Sequence, residues 1–248
     1  MILAVDIGNT NIHNGIFREH RLIGSFSIPT YSKEIKKIYS DRLKAYVGRL
    51  NGVIIASVVP SVLERVEKIF KSILDGKILV VGKDIDAGVK NCYKNPKQVG
   101  SDRLVNARAA YEIYGGPNII VDFGTAVTID IINRHKEYLG GLIVPGVELS
   151  VSALSERAAL LPKINLTRPK AIIGRDTVES MKSGAIYGFS SLCDGVVDKI
   201  KRRYKTRFFV VGTGGMSRLI GPYCRTIDTI DPFLTLKGLE IIWRDCYV

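Results

Sequence analysis

The sequence predicts an α/β protein made of two similar halves, and three observations carry that prediction. Leu3-Ala4-Val5-Asp6-Ile7-Gly8-Asn9-Thr10 is an apolar run of strand type that ends in Asp-x-Gly with a Thr close behind. Ile120-Val121-Asp122-Phe123-Gly124-Thr125-Ala126 repeats it nearly half the chain later. Each copy leads into two further strand-like runs, after which helical and strand-like segments alternate.

In the first half, residues 2–6, 12–18 and 21–28 read as strands separated by polar turns. Ile35, Ile38, Tyr39, Leu43, Tyr46 and Val47 recur at helical spacing and predict a helix over 33–48. Val53 to Val58 is a buried strand. Pro60-Ser61 opens the next helix, in which Ser61 and Glu64 are spaced as a capping box. Ile78 to Val81 is a strand, and residues 82–100 are broken by Gly, Asn and Pro into a loop. A helix from Ser101 or Asp102 to Tyr114 precedes Gly115-Gly116-Pro117, where the boundary between a domain 1–117 and a domain 118–248 is expected.

In the second half, 119–122, 126–132 and 137–144 are the three strands. Gly140-Gly141-Leu142-Ile143-Val144-Pro145-Gly146 is too rich in glycine for an ordinary strand end and reads either as a turn or as backbone approaching a ligand. A helix follows Gly146 and is closed by Pro162. Asp176-Thr177 caps a long helix running to about residue 203. Phe208 to Val211 is a strand that runs into Gly212-Thr213-Gly214-Gly215, and 235–243 is a helix with Trp243 expected in the core.

The 248 residues, 46% of them hydrophobic, suffice for a large core. No apolar run is long enough to cross a bilayer, and the opening residues enter a strand directly, so neither a membrane span nor a signal peptide is expected. The four Cys lie far apart without a C-x-x-C, which fits free thiols in the cytoplasm. His13, His20 and His135 show no metal-ligand spacing. The net charge of +12 suits an anionic ligand such as a nucleotide. The basic run Lys199 to Arg207 closes a predicted helix and reads as a solvated helix end rather than a nucleic-acid surface.

The repeated turn has a direct chemical reading. An Asp at the end of a buried strand needs a cation or donors. The glycine lets a ligand reach the N–H groups, and successive N–H groups in a turn attract phosphate oxygens. One Asp-x-Gly alone reads as a hairpin turn; two at strand ends favour a polyphosphate and its Mg²⁺. Gly100-Ser101-Asp102-Arg103 has two readings. In one, Asp102 begins a helix and Arg103 pairs with an acid on the surface. In the other, Asp102 takes a proton from a substrate hydroxyl while Arg103 steadies an anion. Gly214-Gly215 is either a plain strand-to-helix turn or a surface for the flat face of an adenine.

Taken together, these landmarks resemble the type III pantothenate kinases of the acetate and sugar kinase/heat-shock/actin superfamily. The resemblance covers essentially the whole chain and rests on Asp6-x-Gly8-Asn9-Thr10, Tyr93-x-Asn95-Pro96, Gly100-x-Asp102-Arg103, Asp122-x-Gly124-Thr125-Ala126, Gly174-Arg175-Asp176-Thr177 and Thr213-Gly214-Gly215. It implies two ribonuclease-H-like domains around a nucleotide cleft and phosphorylation of pantothenate by ATP, the first step of coenzyme A synthesis. It implies Asp102 as general base. Asp6, Ile7, Gly8, Asn9, Thr10, Asn11, Ile12, His13, Thr125, Gly214 and Gly215 would bind the nucleotide. Tyr93, Gly100, Ser101, Asp102, Arg103 and Thr177 would bind pantothenate. Asp122 would hold a monovalent cation, K⁺ or NH₄⁺, and Asp6 would hold Mg²⁺, directly or through water. A homodimer is implied as well. Two other classes share parts of the pattern. Another kinase or a polyphosphate phosphatase of the superfamily would share the Asp-x-Gly turns without Gly-x-Asp-Arg, and a regulator on the same fold would place no demand on Asp102.

Overall fold

The computed structural model describes residues 1–246. They form two compact units, Met1–Ala109 together with the segment from Leu234, and Ala110–Phe233. The first unit holds β1 (Ile2–Ile7), β2 (Asn11–Arg18), β3 (Arg21–Pro29), α1 (Ile35–Leu43), β4 (Gly52–Ser57), α2 (Pro60–Ile73), β5 (Lys77–Val80) and the two-residue β6 (Lys90–Asn91). The helix α3 (Ser101–Tyr114) crosses the boundary. The second unit holds β7 (Asn118–Phe123), β8 (Ala126–Ile132), β9 (Glu137–Pro145), α4 (Val147–Arg157), α5 (Thr177–Tyr204), β10 (Phe209–Thr213), the short α6 (Ser217–Ile220) and β11 (Thr229–Ile230). The last helix, α7 (Leu234–Asp245), returns to the first unit.

The two sheets repeat one design. The first has the order β3-β2-β1-β4-β5, and the second contains β9-β8-β7-β10-β11. In each, the first three strands in sequence pair antiparallel and the last two join parallel. The first strand of each unit lies at the centre of its set and is apolar on both faces, as a strand covered on both sides must be. Edge strand β3 alternates, with one side toward solvent. The repeat predicts two similar α/β halves, and this is the duplicated ribonuclease-H-like fold that the resemblance implies.

In the first unit, α1 and α2 cover one face of the sheet, where Tyr39, Leu43, Val66 and Phe70 meet Leu3, Val5 and Ile7. The Tyr39 and Phe70 rings meet edge-on at 4.7 Å, and the buried Tyr39 hydroxyl donates to Asn14 Oδ1 at 3.0 Å. Emptying such a ring site costs about 3–5 kcal/mol. On α7, Trp243 lies against Gly52 of β4, and Gly238 lets the helix approach Val105 and Ala109 of α3. Arg108 donates to the Gly88 carbonyl at 2.9 Å and pairs with Asp245. In the second unit, Val147 and Val151 of α4 and Met181, Ile186, Cys193 and Val197 of α5 bury Ile119, Val121 and Phe123.

Several local expectations change. The C-terminal helix packs with the first unit, whereas a boundary at 117/118 groups it with the second half. The helix α1 stops at Leu43 rather than 48, because the chain continues in tight turns to Gly48, whose φ is +80°. Ser61 caps nothing: Pro60 takes the first helical position, Val59 precedes it, and the Ser57 hydroxyl accepts from Val59 N–H at 3.1 Å. The helix α4 ends at Arg157, five residues before Pro162, and an irregular segment follows. Gly140, in the glycine-rich run, is not a plain turn: it lies within β9 at φ +112° where the register of β8 and β9 shifts, a bulge in the strand.

Candidate active site

In the first unit the Asp6 turn is the hairpin from β1 to β2. Asp6 is the penultimate residue of the strand, half-buried and paired in register with His13, so the two side chains share a face of the sheet. Ile7 and Ile12 put their side chains in the core and can offer only backbone to a ligand. Gly8 N–H donates to the Asn11 carbonyl at 3.0 Å and closes the turn, and Val58 N–H donates to the Ile7 carbonyl at 3.1 Å. Asn9 and Thr10 are exposed at the tip. His13 Nδ1 is 2.9 Å from the Ser27 hydroxyl, a cross-strand contact with β3.

The Gly100–Arg103 group is tied to the same end of that sheet. Ser57, the last residue of β4, lies beside Ile7 in the parallel pairing. Its N–H donates to Ser101 Oγ at 3.1 Å, and Ser101 Oγ–H donates to its carbonyl, also at 3.1 Å. One serine thereby pins the start of α3 to the strand next to the Asp6 turn. Asp102 stands in the first turn of α3, half-buried, with Oδ1 accepting from Arg103 N–H at 2.8 Å. A Cβ on Gly100 would collide with that carboxylate and lie 3.1 Å from Val58, so a side chain there would push the Asp102 carboxylate out of this position. Arg103 is 8% exposed, so it does not pair with an acid on the surface as the first of its two readings expects. The loop that leads here is fastened by its own amides. Asn91 Oδ1 accepts from Tyr93 N–H at 3.0 Å, Asn91 Nδ2 donates to the Pro96 carbonyl at 3.2 Å, and Asn95 Oδ1 accepts from Lys97 N–H at 3.3 Å.

The second unit has the matching turn. Asp122 is the penultimate residue of β7, beside Thr128 of β8 and Thr213 of β10. Phe123 O accepts from Met216 N–H at 3.1 Å, as Ile7 O does from Val58. Thr125 is exposed, and its carbonyl accepts from Gly146 N–H at 3.1 Å. Gly214 has φ +90°, and a Cβ there would overlap the Asp122 carboxylate and the Phe123 backbone. Asp122, Thr125 and Gly214 therefore meet at one end of this sheet, while Gly215 faces open space. Thr177 opens α5, whose first turn is capped by Asp176 Oδ1 accepting from Glu179 N–H at 2.8 Å. Thr177 lines a cavity of about 710 Å³ in the second unit with Leu154, Leu161, Arg175, Met181 and Phe189.

One polar group escaped the sequence reading. Asp130, 1% exposed in β8, accepts from Tyr138 OH at 2.7 Å and from Thr128 Oγ1 at 2.9 Å. Its only signal was an acid inside the apolar run from Ala126 to Ile132. Among the described residues no group of three or more His, Cys, Asp or Glu gathers around a common point. Asp6 and Asp122 offer single hard oxygen donors, which fits ions that keep waters and phosphate oxygens in their shells.

The family described as type III pantothenate kinase has a model that matches residues 2–199. A type III pantothenate kinase of Halalkalibacterium halodurans is 40% identical over 98% of this chain and 99% of its own length. One from Moorella thermoacetica is 41% identical over the same shares. Among solved structures, the (R)-2-hydroxyglutaryl-CoA dehydratase component A of Acidaminococcus fermentans superposes with a TM-score of 0.57 at 11% identity, covering 100% of this chain and 99% of its own, a likeness of fold alone.

Proposed function

The chain belongs to the type III pantothenate kinase family, and on that premise we propose that it transfers the γ-phosphoryl group of ATP to the primary hydroxyl of pantothenate, the first step of coenzyme A synthesis. The observation that carries this reading is the Ser57–Ser101 bridge, which fastens Asp102 to the sheet end that bears the Asp6 turn.

Phosphoryl transfer demands positioning and charge neutralisation more than covalent chemistry from the protein. The turn from Asp6 to His13, with Thr125, Gly214 and Gly215, binds the nucleotide; Ile7 and Ile12 take part through backbone only. Asp6 holds Mg²⁺ directly or through water, and Asp122 a monovalent cation, K⁺ or NH₄⁺; when bound, these ions offset phosphate charge. Tyr93, Gly100, Ser101, Arg103 and Thr177 hold pantothenate, with Arg103 serving its anionic end. Asp102 orients the primary hydroxyl and accepts its proton as the oxygen bonds to phosphorus.

The enzyme works as a homodimer in the cytoplasm. Exposed apolar side chains on the second unit support the dimer: Leu160 is 92%, Ile173 78% and Ile172 66% exposed, and Leu149 and Leu154 are exposed as well. Free cysteines suit the compartment, and no helix among the described residues is long and apolar enough to cross a membrane. The reading is tested by offering pantothenate alongside sugar and carboxylic-acid acceptors with ATP and identifying the phosphorylated product by mass spectrometry. Phosphopantothenate as the dominant product supports it; preference for another acceptor refutes it.

A further inference from the structure

We infer that Thr30 is a positioning residue for the nucleotide-phosphate turn, an inference that rests on the assignment of that turn above. Thr30 directly follows β3 and is 1% exposed. It makes two bonds to the turn from Gly8 to Thr10. Its N–H donates to the Thr10 carbonyl at 3.0 Å, and its Oγ–H donates to the Gly8 carbonyl at 2.7 Å.

The internal repeat shows what these bonds do. In both units the third strand ends in a proline, Pro29 or Pro145, and the next N–H reaches back to the turn: Thr30 to Thr10, Gly146 to Thr125. At that shared position the two units need opposite residues. A Cβ on Gly146 would overlap the Thr125 and Gly124 carbonyls. The first turn is one residue longer, since Asp6 pairs with His13 whereas Asp122 pairs with Thr128. The added length makes room for a side chain, and the Thr30 hydroxyl takes up the Gly8 carbonyl there.

Fixing that carbonyl fixes the whole peptide unit. The Gly8–Asn9 bond is trans, so Asn9 N–H points opposite to the Gly8 carbonyl and away from Thr30. Asn9 N–H has no hydrogen-bond partner among the described residues, and Asn9 is exposed. It is a donor held outward, where a phosphate oxygen can accept from it. Without the hydroxyl the peptide can rotate, and the donor must be re-ordered each time the nucleotide binds.

The test compares Thr30→Val, Thr30→Ser and Asp6→Asn in the full chain, reading KM for ATP and for pantothenate separately, with nucleotide affinity by calorimetry. Thr30→Val is expected to raise KM for ATP about tenfold, the loss of one well-placed hydrogen bond, while KM for pantothenate stays within about twofold; Thr30→Ser restores ATP binding. KM reports on folded enzyme only, so a lower yield does not alter the reading; should Thr30→Val fail to fold, Thr30→Ala takes its place. Equal rises in both KM values, or no rescue by Ser, overturn the positioning role. If Asp6→Asn weakens ATP binding and Thr30→Val does not, Thr30 alone loses its role. If neither does, the assignment of the turn falls and the inference with it.

Discussion

Asp102 carries the sharpest demand at the scale of single residues. Its carboxylate stands in the first turn of α3, over a glycine that leaves it the space and beside a serine that ties the helix start to β4. Asp102→Asn keeps size and shape but cannot take a proton. It should lower kcat at least about 100-fold, the range of a lost general base, while the affinity for ATP measured by titration stays within about twofold. Near-normal turnover would remove the base assignment. Gly146 and Gly214 are fixed by contacts that no side chain can share. A plain sequence pattern marks them as glycine-rich turns but gives no reason for the particular positions. Thr30 lay wholly outside the motifs, because its importance depends on where β3 ends relative to a turn some twenty residues earlier, a tertiary fact with no local signature.

At the scale of elements, long α5 and the segment after α6 are fastened by one acid. Asp194 accepts from Thr226 Oγ1 at 2.7 Å and from the N–H groups of Arg225 and Thr226, both at 2.9 Å. Burial pushes its pKa up, but these hydrogen bonds and the Arg225 charge outweigh burial and hold it below the usual carboxylate value. A depressed folded pKa gives stability that is present above the unfolded value and is lost as pH falls through the folded one. Asp194→Ala should therefore cost about 1–2 kcal/mol near neutral pH, limited by the solvent that reaches the group. The difference from the natural chain should shrink below about pH 4. Urea unfolding at pH 7 and pH 3 checks both; a gap as large at pH 3 as at pH 7 would contradict the ionic account. The elements most legible in the sequence were those with a local cause: the apolar runs of β1, β4 and β7, and the Asp176 cap of α5. The early end of α4 and the shortness of α1 were not, because helical spacing of apolar residues continues past the point where packing stops rewarding it.

Over the whole molecule, the repeated Asp-x-Gly turn proved to mark a repeated sheet, with the same strand order and the same proline-terminated third strand in both units. The association of α7 with β1, β2 and β4 was not readable, since Trp243 and Gly238 are core-like residues that suit either unit, and only the tertiary contacts with Gly52, Val105 and Ala109 decide between them. The positive charge of +12 suits two anionic substrates, ATP and pantothenate. The central claim is tested most directly by ADP release from ATP and Mg²⁺ with and without pantothenate, in K⁺ and in Na⁺ buffer. Release that requires pantothenate and rises with K⁺ is the predicted result, and it would support the kinase reaction and the cation at Asp122 together. Release that is the same without pantothenate would contradict the account.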